Sequence, residues 1–239
     1  MTRQDAVRRR REEDRVRLAI LVVLTIVTPI LGFSFTFRGV REQDQAEERL
    51  RQLECSVRTL RAAVDVENFR QQTVRRVVGI INRYNPELPE ETKLDVARTI
   101  FDMSLRYSNL SVDLICATIT QESLWRPDAV SHAGAMGLMQ IMPLTGCILA
   151  QAEGLDWSRP EEFLFDPIIS VRLGCRYLSA LIELYGIDGG LAAYNSGERR
   201  AALWLACNRD FRVLREETRN YIPSVLELLK RFESEAGLM

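Results

Sequence analysis

Residues 111–123 read Ser-Val-Asp-Leu-Ile-Cys-Ala-Thr-Ile-Thr-Gln-Glu-Ser, an apolar segment that ends in a carboxylate. Val112, Ile115 and Ile119 recur at helical spacing, and Glu122 continues the row three residues on. Such a period marks a helix with one covered face. Ser111 stands where a helix start is expected. A glutamate on an apolar stripe is partly desolvated, which favours its protonated form. The negative end of the helix dipole pushes the same way. A carboxylic acid held protonated near neutral pH is what general acid catalysis needs. The same glutamate at a frayed helix end, facing solvent or paired with an arginine, carries no chemistry. The segment alone does not choose between these readings.

Working outward, every periodic segment from Glu90 onward reads as helix: 90–107, 111–124, 143–153, 167–185, 189–194, 199–206 and 216–234. Pro143 and Pro167 fit first-turn positions, and Asp166 stands where a start is expected. No stretch alternates as a strand. The expectation is an all-α domain over residues 86–239, opened by the break Asn85-Pro-Glu-Leu-Pro89.

The upstream chain reads differently. Residues 18–37, LAILVVLTIVTPILGFSFTF, hold no charge. A helix of that length spans roughly 30 Å, the thickness of a bilayer core. The preceding residues 1–17 include Arg8-Arg9-Arg10-Arg11. The positive-inside rule keeps such a tail cytoplasmic, and no small-x-small cleavage site follows the run. This predicts an uncleaved N-terminal transmembrane helix, a single pass through the inner membrane. Everything after Arg38 then lies outside the cytoplasm. A cleaved signal peptide or a buried core helix is the other reading.

Residues 38–85 are charged and free of proline. Leu50, Leu53, Val57, Leu60 and Val64 keep the alternating spacing of heptad a and d positions. Glu67 and Gln71 interrupt the pattern, and Val74, Val78 and Ile81 resume it. Either this is a coiled-coil stalk that pairs two copies, or it is an amphipathic helix packed on its own domain. Cys55 falls at position f, away from the seam, and supports no interchain disulfide there.

Composition excludes several functions. The 239 residues carry 32 basic and 33 acidic groups, a net charge of −1. Residues 1–79 hold 16 basic and 11 acidic groups, a net of +5; residues 80–239 hold 16 and 22, a net of −6. The sign of the second part disfavours nucleic acid as a partner. A single histidine, His132, excludes a site built on two imidazoles. Five cysteines without a C-x-x-C spacing exclude a zinc ribbon or a thioredoxin motif. No motif for a metal, a nucleotide or another cofactor is present.

Beyond Glu122, residues 131–145 read Ser-His-Ala-Gly-Ala-Met-Gly-Leu-Met-Gln-Ile-Met-Pro-Leu-Thr. The glycines suit a loop that approaches a ligand closely. Ala193-Tyr194-Asn195-Ser196-Gly197 and Glu217-Thr218-Arg219-Asn220-Tyr221 offer ring faces and hydrogen-bonding groups suited to a sugar polymer. Met136, Met139 and Met142 recur every third residue, a packing pattern.

Together, Glu122-Ser123, the G-A-x-G-L-M-Q-I-M-P-x-T run, the A-Y-N-S-G turn and E-T-x-x-Y resemble the soluble lytic transglycosylase family. The resemblance covers roughly Ser111 to Phe232, and four motifs in one order are specific. It implies a goose-lysozyme-like catalytic domain. Such a domain cleaves the β-1,4 bond between N-acetylmuramic acid and N-acetylglucosamine in peptidoglycan. The resemblance makes Glu122 the acid that protonates the glycosidic oxygen. Glu122 then takes a proton from the muramic acid's own 6-hydroxyl, which closes on C1 as a 1,6-anhydro product. No cofactor is implied. The resemblance puts Gln140 against sugar, Tyr194 and Asn195 near the acid, and Glu217, Thr218 and Tyr221 along the same groove. Ser131 and Met139 join them as substrate-binding positions of the catalytic loop.

Three departures stand out. Ser170 replaces an asparagine of the family pattern D-P-x-x-N-I-x-x-G-x-x-Y-L, Gly146-Cys147 follows Thr145 where alanine is common, and residues 198–215 match no motif. Two other readings compete. A lysozyme-type muramidase would draw a second carboxylate from Asp128, Glu198 or Glu217. A non-catalytic wall-binding subunit of an envelope assembly would use the stalk for its partners. Outside the cytoplasm the cysteines face an oxidising compartment. Cys116 and Cys175 read as buried thiols or disulfide partners, and a Cys116–His132 dyad has no supporting motif. The acidic domain gains no long-range attraction to an anionic wall, so groove contacts must supply recognition.

Overall fold

The structure is a computed structural model. It describes the backbone of residues 3–155 and 160–237 and the side chains of 17–28, 47–155 and 162–237. The chain divides into two compact units, Met1–Val66 and Glu67–Met239. Helix α1, Arg3–Tyr84, supplies the first unit and gives its last turns to the second.

In the first unit Leu50, Leu53, Val57, Leu60 and Val64 are all exposed. Leu18–Thr28 are exposed as well. The hydroxyls of Thr25 and Thr28 donate to the carbonyls of Leu21 (2.9 Å) and Leu24 (2.6 Å), so neither is an unsatisfied donor on an apolar helix. Among the described residues no helix is long and apolar enough to cross a membrane. The expected anchor, residues 18–37, falls in part outside the described side chains, as does nearly all of the basic tail, residues 1–17.

The second unit begins in mid-helix, not at the prolines. Val74, Val77, Val78, Ile80 and Ile81 are buried in its core. The heptad register therefore splits. Its C-terminal stretch packs on the chain's own domain, and its N-terminal stretch stays exposed. The division falls at Glu67 instead of residue 86 because these aliphatic side chains are covered from within the unit.

The helices that follow are α2 (Glu90–Arg106), α3 (Val112–Ser123), α4 (Pro143–Ala152), α5 (Pro160–Phe165), α6 (Pro167–Ser196), α7 (Glu198–Ala206) and α8 (Glu216–Ala236), with a 3-10 turn at Phe211–Val213. Two starts are capped by side chains. Ser111 Oγ accepts from the Leu114 amide at 3.1 Å, and Asp166 Oδ1 accepts from the amides of Ile168 and Ile169 at 2.9 Å each. Pro143 and Pro167 occupy first-turn positions. Gly186 (φ 72°, ψ 175°) kinks α6 where the sequence predicts a break between residues 185 and 189. α5 is an addition to the helices expected from periodicity. Among the described residues there is no strand; isolated bridges join Val130 to Met136 and Met136 to Ile141.

α3 is the central helix, with α2 and α8 packed against it, while α6 packs on α2, α7 and α8. Residues Asp113 to Thr120 are all buried, so the expected apolar stripe is one side of a helix covered nearly all round. The hydroxyls of Thr118 and Thr120 donate to the carbonyls of Leu114 (2.9 Å) and Cys116 (2.7 Å), which satisfies them inside the core. An ion pair between Arg76 and Asp113 joins α1 to α3. The side chain of Glu153, just past α4, is 4% exposed and gathers Arg172 at 2.7 Å, Arg176 at 3.6 Å and Arg106 at 3.9 Å. A carboxylate that deep is tolerable only with such partners. Cys116 and Cys175 are buried free thiols, and burial pushes both well above the ordinary thiol range, so neither is a nucleophile. His132 is exposed while Cys116 is not, which removes the dyad.

Candidate active site

Glu122 occupies the last turn of α3. Beyond it Leu124 and Trp125 take left-handed φ values of 51° and 63°, a conformation costly for residues other than glycine. Three hydrogen bonds hold this ending. Trp125 Nε1 donates to Thr120 Oγ1 at 2.8 Å, Asn85 Nδ2 donates to the Trp125 carbonyl at 2.8 Å, and Ser123 Oγ donates to the Leu138 carbonyl at 2.9 Å. The end of the acid's helix is thereby tied to the residue after α1 and to the glycine-rich loop.

That loop, residues 129–142, is shaped by its own polar groups. Gly134 and Gly137 adopt φ values of 87° and 78°. A Cβ at Gly137 would stand 1.9 Å from the Leu164 carbonyl oxygen, so only glycine fits there. Ser170, the departure from the family pattern, is buried and accepts from the Met139 amide at 3.2 Å. The serine thus pins the loop. Ser131 is exposed, and its Oγ accepts from the Ala135 amide at 3.0 Å. Gln140 Nε2 donates to the carbonyls of Ala129 and Gly137 at 2.9 Å each, which commits both amide hydrogens and leaves Oε1 for other contacts.

Met139 corrects the expectation. It is fully buried, and its side chain fills the space beside Gly174. It cannot touch a ligand in the groove. Its carbonyl instead accepts from the Tyr194 hydroxyl at 2.7 Å, which positions that ring.

The remaining residues come from distant helices. α8 brings Tyr221, whose hydroxyl donates to Glu122 Oε1 at 2.6 Å. It also brings Thr218, whose hydroxyl donates to Asn195 Oδ1 at 2.7 Å and leaves the asparagine amide free. The end of α6 brings Tyr194, whose ring lies 5.4 Å from that of Tyr177. Glu217 is exposed, yet its charge acts on Glu122. Of the three candidates for a second carboxylate it alone does so; Asp128 is exposed and Glu198 accepts from Tyr185 at 3.3 Å. Asn85 and Trp125 carry no motif, and their roles arise only from packing; Ser170 and Tyr177 stand in the D-P-x-x-N-I-x-x-G-x-x-Y-L pattern, which does not tell what they touch.

Burial pushes the Glu122 carboxyl up to about 7; the Tyr221 bond pulls against this and the Glu217 charge adds to it. Burial and the nearby Glu122 charge raise Tyr194 and Tyr221 well above the ordinary phenol range, so both stay protonated donors. Opposite shifts follow for two variants. Tyr221→Phe deletes the bond that favours the carboxylate and should raise the Glu122 midpoint. Glu217→Gln deletes the charge that disfavours it and should lower the midpoint. NMR titration of the Glu122 carboxyl reads both; shifts of the same sign, or none, would refute these causes. Chemically, the arrangement is a single protonatable acid with a hydroxyl donor on one oxygen.

Residues 99–213 match the family model described as the Transglycosylase SLT domain. Residues 99–213 belong to the lytic transglycosylase family. The soluble lytic murein transglycosylase of Salmonella typhimurium is 32% identical over 137 residues, covering 53% of this chain and 21% of the relative. A membrane-bound lytic murein transglycosylase C of Klebsiella pneumoniae is 37% identical over 94 residues, covering 35% and 26%. The crystal structure of the 70-kDa soluble lytic transglycosylase of Escherichia coli matches with a TM-score of 0.52 at 25% identity, over 70% of this chain and 30% of that one. The chain spans about a fifth of the length of the soluble relative it matches. Glu217, Thr218 and Tyr221 lie beyond the matched residues, yet α8 completes the surroundings of the acid.

Proposed function

We propose that the protein is a peptidoglycan lytic transglycosylase. One observation carries the reading: Glu122 is held protonatable near neutrality, with Tyr221 on one of its oxygens. A protonated Glu122 delivers its proton to the glycosidic oxygen as the bond to C1 breaks. The resulting carboxylate accepts the proton of the muramic acid 6-hydroxyl, whose oxygen closes on C1. Water is not consumed, and Glu122 ends protonated as it began. A hydrolytic glycosidase uses a second carboxylate, at about 5–5.5 Å for retention or about 6.5–9.5 Å for inversion. A substrate that brings its own nucleophile needs only one. Gln140, Tyr194 and Asn195 line the sugar path in this reading, with Ser131 at its rim.

Peptidoglycan incubated with the full chain should release muropeptides lighter by one water than hydrolytic products. Reducing-end sugars alone would mean a lysozyme-type muramidase. Binding without release would mean a non-catalytic wall-binding subunit.

We further place residues 18–37 as a single-pass anchor in the inner membrane, with residues 1–17 cytoplasmic and the catalytic domain periplasmic. The uncharged run and the arginine cluster before it support this. The exposed stripe from Leu50 to Val64 supports pairing of two copies through the stalk, or docking on an envelope assembly. Valine at a (Val57, Val64) with leucine at d (Leu53, Leu60) favours a parallel two-stranded coil. Arg49 at g then faces Glu54 at e of the second copy. Carbonate washing should leave the protein in the membrane, and Leu53→Cys should cross-link where Cys55 does not. Release by carbonate refutes the anchor, and failure to cross-link refutes the pair.

A further inference from the structure

Residues 198–215 carry none of the four motifs, although 198–213 fall within the matched family model, and they build a basic hollow that begins one residue past Asn195. A cavity of about 640 Å³ is lined by Ser196, Gly197, Glu198, Arg199, Arg200 and Arg215, among others. Its walls spring from the elements that hold the site residues. Ser196 and Gly197 follow Tyr194-Asn195 directly, and Arg215 is the cap residue of α8, the helix that carries Glu217, Thr218 and Tyr221.

The charge in this cavity is unspent. Many arginines of the unit are paired, among them Arg172 with Glu153, Arg209 with Asp188 and Arg212 with Asp210, whereas here three without an acidic partner line one cavity. Among the described residues none of Arg199, Arg200 and Arg215 has an acidic partner. Three arginines less Glu198 leave the lining at +2, on a region whose net charge is −6 from 16 basic and 22 acidic groups over residues 80–239. Arg199 and Arg200 also sit in the first turn of α7. Cations there oppose the helix dipole, so they gain the helix nothing. Guanidiniums clustered at a local cost, with donors free, suit a ligand with several carboxylates.

We propose that Arg199, Arg200 and Arg215 form a subsite for the carboxylates of a peptide stem on the glycan strand. This rests on the reading of the protein as a peptidoglycan lytic transglycosylase. N-acetylglucosamine is neutral, and N-acetylmuramic acid is neutral where its lactyl carboxyl is taken up in the amide to the stem, so the anionic groups of a stem-bearing strand are the free carboxylates of its peptides. Because the lining starts at Ser196, directly after Asn195, the cavity takes the stem of a muramic acid bound at the acid. The subsite gives an acidic domain a local attraction that its overall charge denies it.

The test compares the full chain with R199Q/R200Q/R215Q on two substrates: stem-bearing glycan strands, and the same strands stripped of peptide by an amidase, which leaves one lactyl carboxylate on the muramic acid in place of the stem's several. The variant should lose about tenfold in kcat/KM on stem-bearing strands, as expected for two or three charge-assisted contacts. Its turnover of stripped strands should be unchanged, which also shows that it is folded. The wild type's preference for stems should shrink with added salt, and the variant should show none. Equal losses on both substrates, or no loss on stem-bearing strands, overturn the subsite. A wild type inert on both strands overturns the activity instead. Co-sedimentation with stem-bearing or stripped peptidoglycan then decides the subsite by itself, with about tenfold weaker binding of the variant to the stem-bearing form expected. If the variant loses binding to phosphatidylglycerol vesicles while peptidoglycan binding is unaltered, the arginines serve a membrane surface and the proposal falls.

Discussion

Glu122→Gln is expected to lower release of anhydro-muropeptides by at least about 10³-fold, the range over which a positioned acid contributes. The amide keeps the size of the side chain and can still accept from Tyr221, but it has no proton to deliver and no carboxylate to receive one. The same substitution should stabilise the fold. The folded Glu122 titrates at about 7, against about 4.3 in an unfolded chain. Between these pH values the native state binds the extra proton. Stability therefore falls as pH rises through that window, because the native state must then hold a desolvated carboxylate. Glutamine is spared that cost. Discounted for the side chain's partial exposure, the gain is about 1–3 kcal/mol above pH 7, or several degrees in Tm. It should vanish below about pH 4, where glutamate is protonated in both states. Melting curves at pH 8 and pH 4 with muropeptide mass analysis cover both expectations. Unaltered cleavage by the variant would remove Glu122 from the chemistry.

Gly137→Ala should cost about 3–5 kcal/mol, at the upper end for a single substitution. Two effects add. The backbone sits at φ 78°, which alanine adopts only under strain. The new Cβ would also meet the Leu164 carbonyl oxygen at 1.9 Å and Ser170 Oγ at 2.8 Å. A backbone carbonyl of α5 cannot swing aside as a flexible side chain does, so the loop or α5 must move. Either movement strains the Met139–Ser170 bond and the Leu138 carbonyl that holds Ser123. Activity should therefore fall with stability. Gly134→Ala is the control. Its φ is similar, 87°, but nothing lies within 4 Å of a Cβ there. Its cost should be about 1 kcal/mol, the backbone share alone. Thermal melts of the two variants separate the effects, and equal losses would show that the Leu164 contact is not the reason.

Much of the helical layout is local and therefore readable from residue order. Periodicity, the caps at Ser111 and Asp166 and the first-turn prolines each depend on a few neighbouring residues. The break at Gly186 and the position of Glu122 on the covered side of α3 are legible for the same reason. The candidate site is legible as motifs but not as geometry. Met139 and Gln140 stand side by side in one motif, yet one is packed under Gly174 and the other spends its amide on Ala129 and Gly137.

What residue order alone determined is the all-α class, the charge reversal along the chain and a lone acid at the end of an apolar helix. Tertiary structure decided the rest. The last turns of α1 became core while its earlier stripe stayed exposed, because a period says that a face is apolar and not what covers it. Tyr221 reached Glu122 across a separation of 99 residues because α8 packs on α3. The titration of the acid follows from that same packing, since desolvation and a neighbouring hydroxyl are properties of the folded surroundings.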